Sequence, residues 1–397
     1  MKFNTKFLYL ILVSFLLALF VLIFSNEFKA QFFIVKNVET KRAEEKFNEE
    51  ELKEKIGQMI MVGFRGTSIS EASSIVKAIQ DLKLGGVILF DFDVPSKSFP
   101  RNILNPEQTK RLISDLQEIS PTPLFIAVDA EGGKINRLKA RYGFLEILSP
   151  KELGKRGDKN LTEKESFKLS KQLKDLGFNM NFAPVVDLNL NPQNPIIGKL
   201  GRSFSSDPEE VFLHSKIFIE NHLQNDIIPI VKHFPGHGSS FADSHLEIAN
   251  VSNSWNEEEL IPYKKLNKEN LLFGVIVGHI FNSNIDKDYP ASLSEIFLQK
   301  ILREEINFKG VIISDDMQMK AITKHYGMEE AIIKAINAGV DILLFSNNSE
   351  LQYDEKLPYK VFDIIYQAVK EGKIKNERII EASERIFNLK KEFGIIK

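Results

Sequence analysis

The chain has 397 residues, 43% hydrophobic and 27% charged, the proportions of a folded protein with a large core. A net charge of −2 and the lack of a long basic run argue against a dedicated nucleic-acid binder. The absence of cysteine excludes disulfides, thiolate metal sites and cysteine nucleophiles together.

Lys2 and Lys6 precede an apolar run over 7–24, interrupted only by Tyr9 and Ser14. Its length approaches the ~20 residues that span a bilayer. Ser25-Asn26-Glu27-Phe28-Lys29-Ala30 follows, a poor cleavage site, and no cysteine offers a lipid attachment point. Residues 1–36 therefore read as an N-terminal transmembrane anchor, with a cleaved signal segment as the alternative. The two lysines favour a cytoplasmic N-terminus, so the rest of the chain is expected outside the cytoplasm. Residues 37–55 are dense in Glu, Lys and Arg and read as a charged linker running into a first helix. That leaves 56–397 as one folded domain.

Within it, short apolar runs recur at 59–62, 86–90, 124–129, 180–185, 227–232, 273–278, 310–315 and 341–345. Continuous runs of this length suit strands buried on both faces, as in parallel sheets. Helical spacing separates them. The stretch 163–176 stops at Gly177, 209–224 follows Asp207-Pro208, 329–338 stops at Gly339, and 360–393 ends the pattern. Eight strands alternating with helices predict an α/β fold, a (β/α)8 TIM-type barrel in one domain. A doubly wound sheet would show a glycine-rich phosphate turn. Neither Gly63-Phe64-Arg65-Gly66 nor Glu131-Gly132-Gly133 has the G-x-G-x-x-G spacing.

In such a barrel the functional residues gather at the C-terminal ends of the strands. Asp129 ends the third run and Asp187 follows the fourth; Lys232 and His233 end the fifth. His279 follows the sixth, Asp315 ends the seventh, and Asn347-Asn348 follow the eighth. Any one of them suits a cap or a satisfied core group. Ionisable groups are costly to bury without partners, so the convergence predicts a pocket.

The segment from Lys232 to His245 is the most informative. His233 and His237 invite a metal reading, but Pro235 and Gly236 between them forbid a regular helix, and no third ligand stands at metal-site spacing. No metal is expected. Lys232 with His233 at a strand end suits hydroxyls and carbonyls of a polar ligand. In Asp243-Ser244-His245 the aspartate can orient the imidazole and stabilise its protonated form, although D-x-H alone is a weak signal.

Lys232 to His245, Gly310 to Asp315, Val128-Asp129-x-Glu131-Gly132-Gly133 and Arg202-Ser203-Phe204-x-x-Asp207-Pro208 stand in the order seen in glycoside hydrolase family 3. Over roughly residues 50–350 the chain resembles the single-domain bacterial β-N-acetylglucosaminidases (β-hexosaminidases) of that family. The histidine loop is their specific mark. The resemblance implies Asp315 as catalytic nucleophile, His245 as acid/base with Asp243 behind it, and Asp129, Arg137, Arg202, Lys232 and His233 as substrate contacts. Asp316 is expected to cap the following helix. Ala130 and Lys134 depart from the commoner Gln and Arg, and Leu200-Gly201 lengthen the loop before Arg202.

The activity so implied is exo-acting, retaining release of terminal GlcNAc from peptidoglycan fragments or related glycans, through a glycosyl-Asp intermediate. Retaining hydrolysis needs a carboxylate nucleophile and an acid that later acts as base. A histidine adds no negative charge beside the nucleophile and titrates near ~6.5. No cofactor is required. The alternatives are a phosphorylase using phosphate as acceptor, a β-glucosidase, and a non-catalytic sugar-binding barrel. The expected partners are a carbohydrate and, through residues 1–36, a membrane, with the catalytic domain on the periplasmic side.

Overall fold

The structure is a computed structural model, and it describes residues 49–241, 248–350 and 352–397. Eight parallel strands follow one another: β1 Ile60–Gly63, β2 Gly86–Leu89, β3 Phe125–Val128, β4 Met180–Asn181, β5 Ile228–Phe234, β6 Gly274–Val277, β7 Val311–Ser314 and β8 Leu343–Phe345. Each pairs with its sequence neighbour, and β1 also pairs with β8. A parallel bridge between Ile313 and Ile342 joins β7 to β8, and the Ser314 amide donates to the Ile342 carbonyl at 2.9 Å. The barrel closes there. All eight predicted runs hold a strand of it.

Helices cover the outside, and local chemistry sets their ends. Asn105, Asp158 and Asp207 cap Pro106–Glu118, Lys159–Leu176 and Pro208–Gln224 through side-chain oxygens that accept first-turn amides. Ser149 and Glu152 form a reciprocal capping box at Pro150–Arg156. Three expectations needed adjustment. The last helical stretch is two helices, Leu357–Lys370 and Asn376–Glu392, broken around Gly372 at φ 73°. The fourth run is a strand only over its first two residues, with Val185 bridging Lys232 beyond them. The fifth strand runs on past Lys232 to Phe234.

Among the described residues no helix is long and apolar enough to cross a membrane. The predicted anchor over 1–36 lies outside the described residues, as does the charged linker up to residue 48. From Glu49 the chain is helical to Gln58, burying Leu52 and Ile56.

Closure of the barrel depends on charge as well as on hydrogen bonds between strands. Asp341, fully buried just before β8, accepts from Arg303 at 2.8 Å and from the Ile312 amide of β7 at 3.0 Å through one carboxylate oxygen. The other oxygen accepts from Arg378 at 2.6 Å and Arg385 at 3.1 Å. One carboxylate thus ties β7, β8 and the last helix at the seam. Removing it leaves three clustered guanidiniums with Glu381, which pairs with Arg378 and Arg385, as their remaining carboxylate. Asp341→Ala is expected to cost about 3 kcal/mol, read from the midpoint of denaturant unfolding. An unchanged midpoint would show that the seam does not need it.

Candidate active site

The C-terminal ends of the strands open on a cavity of about 470 Å³. Asp129, Arg137, Arg202, Lys232, His233 and Asp315 all line it. The six predicted site residues that lie within the described chain are therefore together. Asp243 and His245 lie outside the described residues.

The groups are held by a buried chain of charge. Lys232 donates to Asp129 at 2.8 Å and lies 2.7 Å from Glu131. Arg202 grips Glu131 with two parallel hydrogen bonds of 2.8 and 2.7 Å, the geometry that suits guanidinium to carboxylate. Arg137 stands 3.5 Å from the far oxygen of Asp129. Burial alone would raise the Asp129 carboxyl, but the Lys232 ammonium and the Arg137 guanidinium hold it well below the usual carboxylate range. The same contest, with Arg202 and Lys232 winning over burial, lowers Glu131. Both are anions at neutral pH.

Glu131 reaches these cations because its turn is tight. Gly132 and Gly133 have φ of 96° and 57°, and a Cβ on either would meet Leu148 or Ser149 within 2.4 Å.

His233 is fixed in one protonation state by its two neighbours. Arg202 Nη2 lies 3.2 Å from Nε2, and a guanidinium can only donate, so Nε2 must accept. Nδ1 then carries the proton and donates it to Asp187 at 2.7 Å. Burial, followed by the nearby Arg202 charge, pushes the His233 pKa well down, in agreement with a neutral ring. His233 is thus held neutral with both ring nitrogens paired within the protein, and it is not an acid at neutral pH.

The backbone after β5 is packed against Asp187 and Glu259. Asp187 accepts from the His237 amide at 2.7 Å, and Glu259 accepts from the Gly238 amide at 3.0 Å and the Ser239 hydroxyl at 2.5 Å. At Gly238 a Cβ would fall 1.5 Å from the Leu188 carbonyl oxygen, so only glycine fits. Asn191 and Asn194 bind the carbonyls of Ser240 and His237. This stem leads directly toward the D-S-H segment in sequence.

Other strand-end groups have structural duties. His279 pairs with the Ser292 hydroxyl at 2.7 Å and the Asp316 carbonyl at 3.0 Å. Asn348 binds the loop after β2, and Asn347 the backbone of Asp354. Contrary to the expectation from sequence, Asp316 does not cap the next helix, which begins at Lys320 with Met319 at its N-cap. It accepts from the Gln318 amide at 3.1 Å and from the Ser346 amide and hydroxyl, pinning β7 to β8 beside Asp315. Burial raises its pKa. Of the departures noted in sequence, Leu200 lines the cavity whereas Lys134 is exposed and outside it.

Sequence reading missed Glu131 as the shared partner of Lys232 and Arg202, and it gave Asp187 and Glu259 no role. A carboxylate within a Gly-Gly turn beside strand-end cations was a signal for the first. Glu259 ends a run of three glutamates, and nothing in the sequence separates it from its exposed neighbours.

With this geometry in place, comparison with known proteins is informative. The profile of the glycosyl hydrolase family 3 N terminal domain matches residues 51–389. A Beta-hexosaminidase of Tolumonas auensis is 34% identical over 268 residues, covering 67% of this chain and 76% of that protein. The Beta-hexosaminidase of Haemophilus influenzae is 35% identical over 262 residues, 64% of this chain and 72% of its own length. The solved structure of a glycoside hydrolase family 3 beta-N-acetylglucosaminidase from Paenibacillus superposes with a TM-score of 0.78 at 32% identity. The match takes in 87% of this chain and 63% of that one.

Glu259 gives a test of the stem. Burial pushes its carboxyl up to about 8, from an ordinary 4.5. Between those values the native state keeps a proton that the unfolded state releases, so this group makes stability fall as pH rises. Glu259→Gln lacks the proton equilibrium. Its stability relative to the unaltered protein should therefore increase from pH 5 to pH 8, measured by denaturant unfolding. A constant difference across that range would mean the carboxylate is not raised.

Proposed function

The chain belongs to glycosyl hydrolase family 3 and is a glycoside hydrolase of the β-N-acetylhexosaminidase type, and we propose that it releases terminal GlcNAc by an exo-acting, retaining mechanism. The observation that carries this reading is the meeting of Asp315 with Asp129, Lys232, Arg202 and His233 around one cavity. Asp129 and Lys232 together offer an acceptor and donors for adjacent hydroxyls of a terminal sugar. His233 and Arg202 fix its ring against the nucleophile.

In the first step a carboxylate oxygen of Asp315 bonds to the anomeric carbon as the glycosidic C–O bond breaks. His245, as imidazolium, gives its proton to the departing oxygen, and Asp243 orients the ring. In the second step the neutral imidazole takes a proton from water. The water oxygen bonds to the anomeric carbon, and Asp315 leaves as carboxylate. Two inversions give retention. The neutrality of His233 supports assigning the mobile proton to His245.

The natural substrate in this proposal is a GlcNAc-terminated glycan of the peptidoglycan type. Residues 1–36 would anchor the enzyme in the cytoplasmic membrane, with 37–55 as linker and the barrel on the periplasmic side. The basis is the apolar run over 7–24 behind Lys2 and Lys6.

Two experiments test this. Asp315→Ala should abolish turnover of every aryl N-acetyl-β-glucosaminide, whereas His245→Ala should lose most with poor leaving groups, which need protonation, and least with good ones. Equal losses across leaving groups would overturn the His245 assignment, and faster turnover with phosphate would mark a phosphorylase. Separately, full-length protein should fractionate with membranes and a version starting at Asn37 should not. Full-length enzyme recovered in the soluble fraction would defeat the anchor.

A further inference from the structure

The loop after β2 runs Asp91-Phe92-Asp93-Val94, and its burial is the reverse of what hydrophobicity dictates. Asp91 is 0% exposed and Asp93 3%, while the phenylalanine between them is 40% exposed. A single exposed ring is ordinary, but two buried acids on either side of it are costly unless they are paired. A local reversal of this kind marks a site where stability gives way to function.

The reversal is actively maintained. Asp93 pairs with Arg65 at 2.7 Å and with the buried Arg101, and Lys139 lies 2.6 Å from Asp91. Arg101 also donates to the Asn347 carbonyl at 2.8 Å, tying the loop to the end of β8. On either side of the ring, the Asn348 side chain donates to the Phe92 carbonyl at 3.0 Å and accepts from the Val94 amide at 2.9 Å. Phe92 is thus an exposed ring on an immobilised backbone, and it forms part of the cavity wall that holds Asp315.

The cavity lining is chemically mixed. Asp129, Lys232, Arg202 and His233 contribute ionic groups suited to hydroxyls, and Phe92 and Val94 contribute apolar surface. A pyranose ring has just such a second character, since its C–H faces are apolar and stack on aromatic rings. We propose that Phe92 is the platform for the sugar on the leaving-group side of the cleaved bond, making a second hexopyranose the preferred aglycone. This rests on the glycosidase reading above. It adds to that reading a residue that selects the aglycone and takes no part in the bond chemistry.

The test compares N,N′-diacetylchitobiose, whose leaving group is a sugar, with methyl N-acetyl-β-glucosaminide, whose leaving group has no face to stack. Phe92→Ala should lower kcat/KM for the disaccharide by about five- to tenfold, the scale of one aromatic contact, and leave the methyl glycoside within about twofold. Phe92→Trp should restore the disaccharide rate. Because Phe92 is exposed, thermal unfolding of both variants should match the unaltered protein. Equal effects of Phe92→Ala on the two glycosides, or no effect on either, would overturn the platform while leaving the glycosidase reading standing. Failure of the unaltered protein to cleave either glycoside would overturn both.

Discussion

The ion pairing of Lys232 with Asp129 and Glu131 is the constraint on which the site depends. An ammonium and two carboxylates at the end of a barrel strand cannot be buried separately, because each would lose several kcal/mol of hydration. Lys232 satisfies both acids within 2.8 Å, and Arg202 takes the rest of Glu131. From there contact passes through His233 to Asp187, so β3, β5 and the segment after β4 are joined by one run of alternating partners. Breaking any link leaves a charge or a polar atom without its partner.

That linkage holds the groups in place through contacts within the protein itself. Hydrogen bonds involving ions are shorter and stronger than neutral ones, and low local dielectric strengthens them further. The cost of holding the groups in place is met in folding, not in binding. Register also shifts in β5 between Val231 and Phe234, so Lys232 and His233 stand where regular pairing with β6 is interrupted. The strand gives up ladder regularity at Lys232 and His233 and gains two neighbouring polar side chains on one cavity.

How far the sequence revealed this follows from the range of each interaction. The eight strands were legible because burial on both faces writes a continuous apolar run, as in 310–315, and because caps such as Asp207 and Gly177 are local signals. The gathering of Asp129, Lys232, His233 and Asp315 was legible once the barrel was assumed, since strand order alone brings those ends together. What Glu131, Asp187 and Glu259 bind was not. Their roles depend on partners 71, 46 and 20 residues away, and no spacing rule reports which of many acids turns inward. Asp91 and Asp93 were hidden for the same reason, their partners Lys139, Arg65 and Arg101 being visible only in three dimensions.

The pairing that holds the site's charged groups in place also limits what its buried members can do. A group that gives and then takes a proton near neutral pH must move between two charge states at little cost. Asp129 and Glu131 are held as anions by cations in contact, and His233 is held neutral by a donor at Nε2. Changing the charge of any of them disturbs the others. The proton transfer proposed above therefore calls for a group outside this run of contacts, and in sequence the Asp243-Ser244-His245 triplet follows the stem held by Asp187 and Glu259. In the proposed mechanism, binding by fixed, paired charges and proton transfer by a separate histidine follow from one electrostatic constraint.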